Sequence, residues 1–284
     1  MKALRYSGLA VLALAAVGLS APEAKAISIT FDSSFAFQGP DGVAFDSASG
    51  NLFIADGTTI TQTTTAGGFV SSFSPVANGD IQGLDVLPNG NLLLSDQSSN
   101  NSLGAPALLE FTKAGAAVPA GINIIIQPPS GDADGVAFNA GTGTIFTADD
   151  VDETIYEFAT AGGAPLSSFL TTAIDAAFDE PEGITVDPLT GNLLVVDDGG
   201  GTSSLYELTT TGDLVMTVDL AALTGFGDPE GVAIDRANNK LYVAFADDNK
   251  VAQFSIAAVP EPTMIGLLGL GLVGLGFVRR KRLI

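Results

Sequence analysis

Five copies of a short glycine-led motif, each followed by a turn and a second apolar run, predict an all-β fold, a five-bladed β-propeller. The motif reads Gly-Val-Ala-Phe-Asp at 42–46, Gly-Leu-Asp-Val-Leu at 83–87, Gly-Val-Ala-Phe-Asn at 135–139, Gly-Ile-Thr-Val-Asp at 183–187 and Gly-Val-Ala-Ile-Asp at 231–235. Its intervals of 41, 52, 48 and 48 residues suit a four-stranded blade. A helical solenoid would need a 3.6-residue apolar period, and none runs through the repeats.

Within each repeat the motif is the first strand. Turn residues come next, such as Ser47-Ala48-Ser49-Gly50-Asn51 and Pro188-Leu189-Thr190-Gly191-Asn192. They lead into second strands at Leu52–Ala55, Leu92–Ser95, Ile145–Ala148, Leu193–Val196 and Leu241–Phe245. Two β-branched or aromatic runs joined by Gly/Asn turns form a hairpin. A third strand alternates clearly at 154–158, 204–208 and 250–254, and a fourth follows at Pro165–Leu170 and Leu214–Leu220. The last repeat stops after its third strand at Ile256, whereas Ile29–Phe37 is a strand without a blade. Its Ser33-Ser34-Phe35 echoes Ser71-Ser72-Phe73 and Ser167-Ser168-Phe169. The N-terminal strand is therefore expected to complete the fifth blade and close the ring, which removes two open sheet edges. A sixth blade within 97–130 and a β-sandwich are the fold alternatives.

The two ends are of another kind. Residues 1–26 begin with Lys2 and Arg5, continue with the apolar stretch Leu9–Leu19 and end in Ala24-Lys25-Ala26. A basic start, a short apolar core and a small-x-small site is the pattern of a secretory signal cleaved after Ala26. Residues 259–284 carry Pro260-Glu261-Pro262, an uncharged stretch from Thr263 to Val278, and the basic cluster Arg279-Arg280-Lys281-Arg282. As a helix that stretch would span about 24 Å, enough for a short transmembrane segment held by its basic end in the cytoplasm. These three parts together resemble the PEP-CTERM sorting signal. The resemblance implies export by the Sec machinery of a Gram-negative bacterium and transient residence in the inner membrane. It also implies tail processing by an exosortase, then display at the cell surface or in an extracellular polysaccharide matrix.

Between the ends, residues 27–258 hold four basic and thirty acidic residues, a net charge near −26, although the whole chain averages −21. Duplex nucleic acid is an unlikely electrostatic partner for such a domain. The chain has no Cys, His or Trp, which excludes disulfides, imidazole or thiolate nucleophile activation, thiolate zinc sites and histidine-ligated iron or copper. Any metal here is held by oxygen.

The repeats resemble NHL-type and gluconolactonase-like propellers. Glu180-Pro181-Glu182-Gly183-Ile184 and Asp228-Pro229-Glu230-Gly231-Val232 are most similar to the SdiA-regulated family. That kinship implies either a binding scaffold or a calcium- or zinc-dependent lactonase or esterase. Two sets of residues share the face where first strands begin. Asp41, Gln82, Asp134, Glu182 and Glu230 precede the repeat glycines, and Asp56, Asp96, Asp149 and Asp197 end the second strands. As a cation site, Asp41, Asp134, Glu182 and Glu230 would supply oxygen ligands for calcium, relieving mutual repulsion. As structural residues, both sets would hold backbone N–H groups in turns. The run Asp149-Asp150-Val151-Asp152-Glu153 lacks the glycine and spacing of an EF-hand and reads as solvated charge. The function expected is a non-enzymatic surface or matrix interaction module, possible partners being an extracellular polysaccharide or a matrix protein. The alternative is a calcium-dependent lactonase- or esterase-like hydrolase.

Overall fold

The computed structural model describes residues 27–126 and 132–258. The signal sequence and the sorting segment, its apolar helix included, lie outside the described residues. Among the described residues no helix is long and apolar enough to cross a membrane.

Strand β1 (Ile27–Ala36) comes first. Blade one follows with β2 (Val43–Asp46), β3 (Asn51–Ala55), β4 (Ile60–Thr64) and β5 (Phe69–Phe73). Blade two holds β6 (Ile81–Val86), β7 (Leu92–Asp96), β8 (Ala107–Phe111) and β9 (Asn123–Ile125). Blade three holds β10 (Val136–Asn139), β11 (Thr144–Asp149), β12 (Thr154–Ala159) and β13 (Ser167–Leu170). Blade four holds β14 (Pro181–Val186), β15 (Leu193–Asp197), β16 (Ser204–Leu208) and β17 (Leu214–Asp219). Blade five holds β18 (Pro229–Asp235), β19 (Lys240–Phe245) and β20 (Lys250–Ala258), and its fourth strand is β1. All five sheets have four antiparallel strands. Residues 97–126 supply β8, β9 and their connections to blade two, so the sixth-blade and sandwich alternatives fall.

The repeat glycine has a steric reason. A Cβ on Gly83 would lie 2.5 Å from the Asp134 carbonyl oxygen, and one on Gly183 would lie 2.5 Å from that of Glu230. Gly42 meets Gln82 in the same way, Gly135 meets Glu182, and Gly231 meets Asp41, which closes the circle. Each innermost strand thus packs backbone to backbone on the next blade, an approach only glycine permits.

Five apolar clusters fill the gaps between successive blades. Leu52 and Ile54 of blade one pack with Tyr242 and Val251 of blade five, so the core closes around the ring as well. The last motif residue organises the turn after the first strand. Buried Asp46, Asn139, Asp187 and Asp235 accept backbone N–H groups from Ala48 (3.1 Å), Gly141 (2.9 Å), Leu189 (2.9 Å) and Asn238 (3.2 Å). These are Asx turns. Because strands alternate in direction, the disc has a mouth face, where first strands begin, and an opposite face, where those turns lie. Ile27 pairs with Ala258, so both ends of the described body leave from the opposite face.

Candidate functional site

The mouth is built by one local device. In blades two, four and five the first strand shifts register between Ile81 and Leu84, Pro181 and Ile184, and Pro229 and Gly231. Such bulges re-aim side chains, and they occur where Gln82, Glu182 and Glu230 stand. Asp41 and Asp134 are tied instead by their N–H groups to the carbonyls of Ala55 and Ala148, each at 3.0 Å. All five residues are half-buried.

The side chains converge electrostatically. Burial, then the charge of Glu230 and that of Asp134, push the Glu182 carboxyl far above its ordinary range. Burial, then Asp150, raises Asp134; burial, then Asp228 and Asp41, raises Glu230. Asp41 is pushed up to about 7 by burial and by Asp56, Asp80 and Asp228. Lys113, Arg236 and Lys240 lie at strand ends of the opposite face, and Lys250, which begins β20 on the mouth side, is not among the charges acting on these carboxyls. Gln97 Nε2 donates to Asp134 Oδ1 at 2.6 Å, and Asp150 N donates to Asp134 Oδ2 at 3.2 Å.

Below the mouth the channel is closed. Val43, Leu84, Val136, Ile184 and Val232 are buried around the axis, and the space beside the glycine ring is only about 10 Å³. That is at the threshold for one water. The mouth is a basin, and the two faces do not communicate.

The second predicted set serves turns. Exposed Asp56 accepts the Thr59 N–H at 2.8 Å, and buried Asp149 accepts that of Asp152 at 2.8 Å. Asp96 takes the Asp80 N–H and Asp197 takes the Glu180 N–H, both at 3.0 Å. Each of those two bonds ties the end of a second strand to the segment entering the mouth. Asp197 is fully buried, its Oδ2 has no partner among the described residues, and burial above all lifts it to about 7. The residues reaching the mouth are the next in sequence, Gln97, Asp150 and Asp198, together with Asp80 and Asp228. Alternation along a strand carries the signal, since consecutive side chains face opposite ways. The Asp149–Glu153 run is an ordered turn rather than free charge: Tyr156 Oη donates to Asp152 at 3.0 Å, and Thr172 Oγ1 donates to Glu153 at 3.0 Å.

As a metal centre the mouth is incomplete. Among the described residues no three acidic side chains stand together closely enough to hold an ion. The donors are oxygens whose like charges repel one another, which is the chemistry a hard cation takes.

Residues 258–282 match the PEP-CTERM protein-sorting motif, so the chain carries the signal of an exported protein sorted to the cell surface by an exosortase. The chain matches no curated protein. Among solved structures, Myxococcus xanthus glutaminyl cyclase is 12% identical, with 82% of this chain and 97% of that chain covered and a TM-score of 0.62. A luciferin-regenerating enzyme is 14% identical, over 82% and 96%, at 0.54. The Xanthomonas campestris gluconolactonase XC5397 is 14% identical, over 81% and 89%, at 0.49. At such identities the likeness is one of fold alone. The chain is a five-bladed propeller that carries a PEP-CTERM sorting motif.

Proposed function

We propose that the protein is a surface or matrix interaction module whose acidic mouth takes up a hard cation, calcium first, or a cationic group of a neighbouring polymer. The observation that carries this is the convergence of half-buried like charges: Glu230 and Asp134 act on Glu182, and Asp41 and Asp134 act on Glu230, each raising the carboxyl above its ordinary range. Carboxyl groups that burial and like charge keep protonated release those protons to a divalent cation. Small adjustments of Asp41, Asp134, Glu182 and Glu230 would bring their oxygens onto one ion, with Gln82 and backbone carbonyls completing the six to eight ligands calcium takes. The sorting motif supports display at the cell surface, and a place in an extracellular polysaccharide matrix would give such an ion a bridging role.

Calorimetric titration of calcium into residues 27–258, which contain all five blades and the closing strand, tests this. Saturable heat that disappears in Glu182→Gln/Glu230→Gln supports the proposal; no heat in the parent protein refutes it. A calcium-dependent hydrolase would use the same basin, with the proton on Glu182 available for general acid catalysis. Turnover of lactones or aryl esters that stops on chelation would establish that second reading.

A further inference from the structure

A second concavity, of about 450 Å³, lies at the other end of the closed channel. That size is within the range of small-molecule pockets. Its wall is made by the residues three positions after the repeat glycines, Phe45, Val86, Phe138, Val186 and Ile234. All five are only half-buried, so the fold leaves an apolar ring, two phenylalanines included, partly open to water. Val43, Leu84 and Val232 form the floor.

One residue breaks the uncharged pattern. Two positions after the glycine, four repeats carry Ala44, Ala137, Thr185 and Ala233, whereas the second carries Asp85. Asp85 lines the concavity. Its Oδ1 accepts the Val86 N–H and its Oδ2 the Phe138 N–H, each at 2.7 Å. Two N–H donors leave further acceptor capacity on a carboxylate, and no cation among the described residues neutralises it. The two basic residues at the rim are already engaged, Lys113 with Asp46 at 2.7 Å and Arg236 with Asp187 through Nε at 2.7 Å. Asp235 also lines the concavity, and among the described residues its carboxylate is bonded only by Asn238. The apolar bowl therefore carries unneutralised negative charge, which rejects an anion and favours a cation. Burial is the first reason that the Asp85 carboxyl rises to about 6, and it remains ionised at neutral pH.

We propose that this bowl binds a small apolar molecule bearing one primary ammonium group, its apolar body against Phe45, Phe138 and Ile234 and its ammonium on Asp85. The filled channel separates this site from the acidic mouth. Aliphatic amines offer the matching chemistry: the chain occupies the apolar ring and the amine replaces its lost water with a charge-assisted hydrogen bond.

Titration of octylamine and of octanoate into residues 27–258 tests the proposal, since the two share an apolar body and differ in charge. Octylamine is expected to bind one per chain and octanoate not to bind. Asp85→Asn should weaken octylamine at least tenfold, and Val186→Trp, which fills the bowl, should abolish binding. The Glu182→Gln/Glu230→Gln variant should leave octylamine affinity unchanged. The proposal is overturned if octylamine gives no saturable heat, if octanoate binds as well, or if binding survives Val186→Trp or is lost in the mouth variant. Should Asp85→Asn not fold, the Val186→Trp and octanoate results decide.

Discussion

Gly183→Ala probes the device that closes the ring. Gly183 has no left-handed backbone, so only the new methyl group matters. That methyl would lie 2.5 Å from the Glu230 oxygen, 2.7 Å from the Gly231 Cα and 2.9 Å from the Val232 nitrogen, all of them backbone atoms. No side chain can turn aside, so the innermost strands of blades four and five must separate. Overpacking costs about 1–3 kcal/mol, and a purely backbone obstacle belongs at the upper end, about 3 kcal/mol. For a domain of this size a kilocalorie moves the melting temperature by about 2–4 °C, so a fall of about 6–12 °C is expected. Gly191→Ala is the control. Gly191 sits at φ +78° with nothing within 4 Å, so it should lose only the left-handed penalty of about 1–2 kcal/mol. Differential scanning calorimetry of both variants decides. A Gly183→Ala protein melting within about 2 °C of the parent, or above Gly191→Ala, would refute the backbone-contact explanation of the repeat.

Other outcomes follow from the same structure. Asp41 is neutral in the fold up to about 7 but ionises near 3.8 when unfolded, so the native state binds the extra proton between those values. Its contribution is complete below about pH 4 and lost as pH rises to 7; thermal melts should fall across that window, and a rise would contradict it. Arg236→Ala strands the fully buried Asp187 carboxylate, which loses its charge partner while keeping the Leu189 and Thr190 donors. Urea unfolding should show a loss of about 3 kcal/mol, and a change below about 1 kcal/mol would mean that water replaces the guanidinium. Deleting residues 27–36 uncovers the β20 edge beside Phe254 and Ile256, and light scattering should show association through it. Glu261→Gln should leave the tail attached in cells, and unchanged processing would contradict exosortase recognition through Pro260-Glu261-Pro262.

The blades were legible because the repeat glycine and the Asx residue four positions later each answer a local backbone need, and local needs repeat. The closing strand was legible through Ser33-Ser34-Phe35, which matches the outer strands of blades one and three. The mouth was half legible. Asp41, Asp134, Glu182 and Glu230 line one face and Asp56 caps a turn while still acting on Asp41, but Asp96, Asp149 and Asp197 end their strands in turns, while Gln97 and Asp150 reach Asp134. One residue along a strand reverses the side chain, and a bulge, invisible in composition, decides which one is turned inward. The bowl on the other face was not legible at all. Its wall residues read as ordinary strand hydrophobics, and only the assembled ring shows that five of them meet around a gap with Asp85 beside them.

Burial and like charge favour the protonated form of the mouth carboxyls, and the proposal is that calcium displaces those protons. Carbon-13 NMR titration of the Glu182 and Glu230 carboxyl carbons, with and without calcium, tests it most directly. The expected result is a proton retained above neutral pH without calcium and released when calcium is added. Two carboxyls that ionise in the ordinary glutamate range, and do not respond to calcium, would contradict the account.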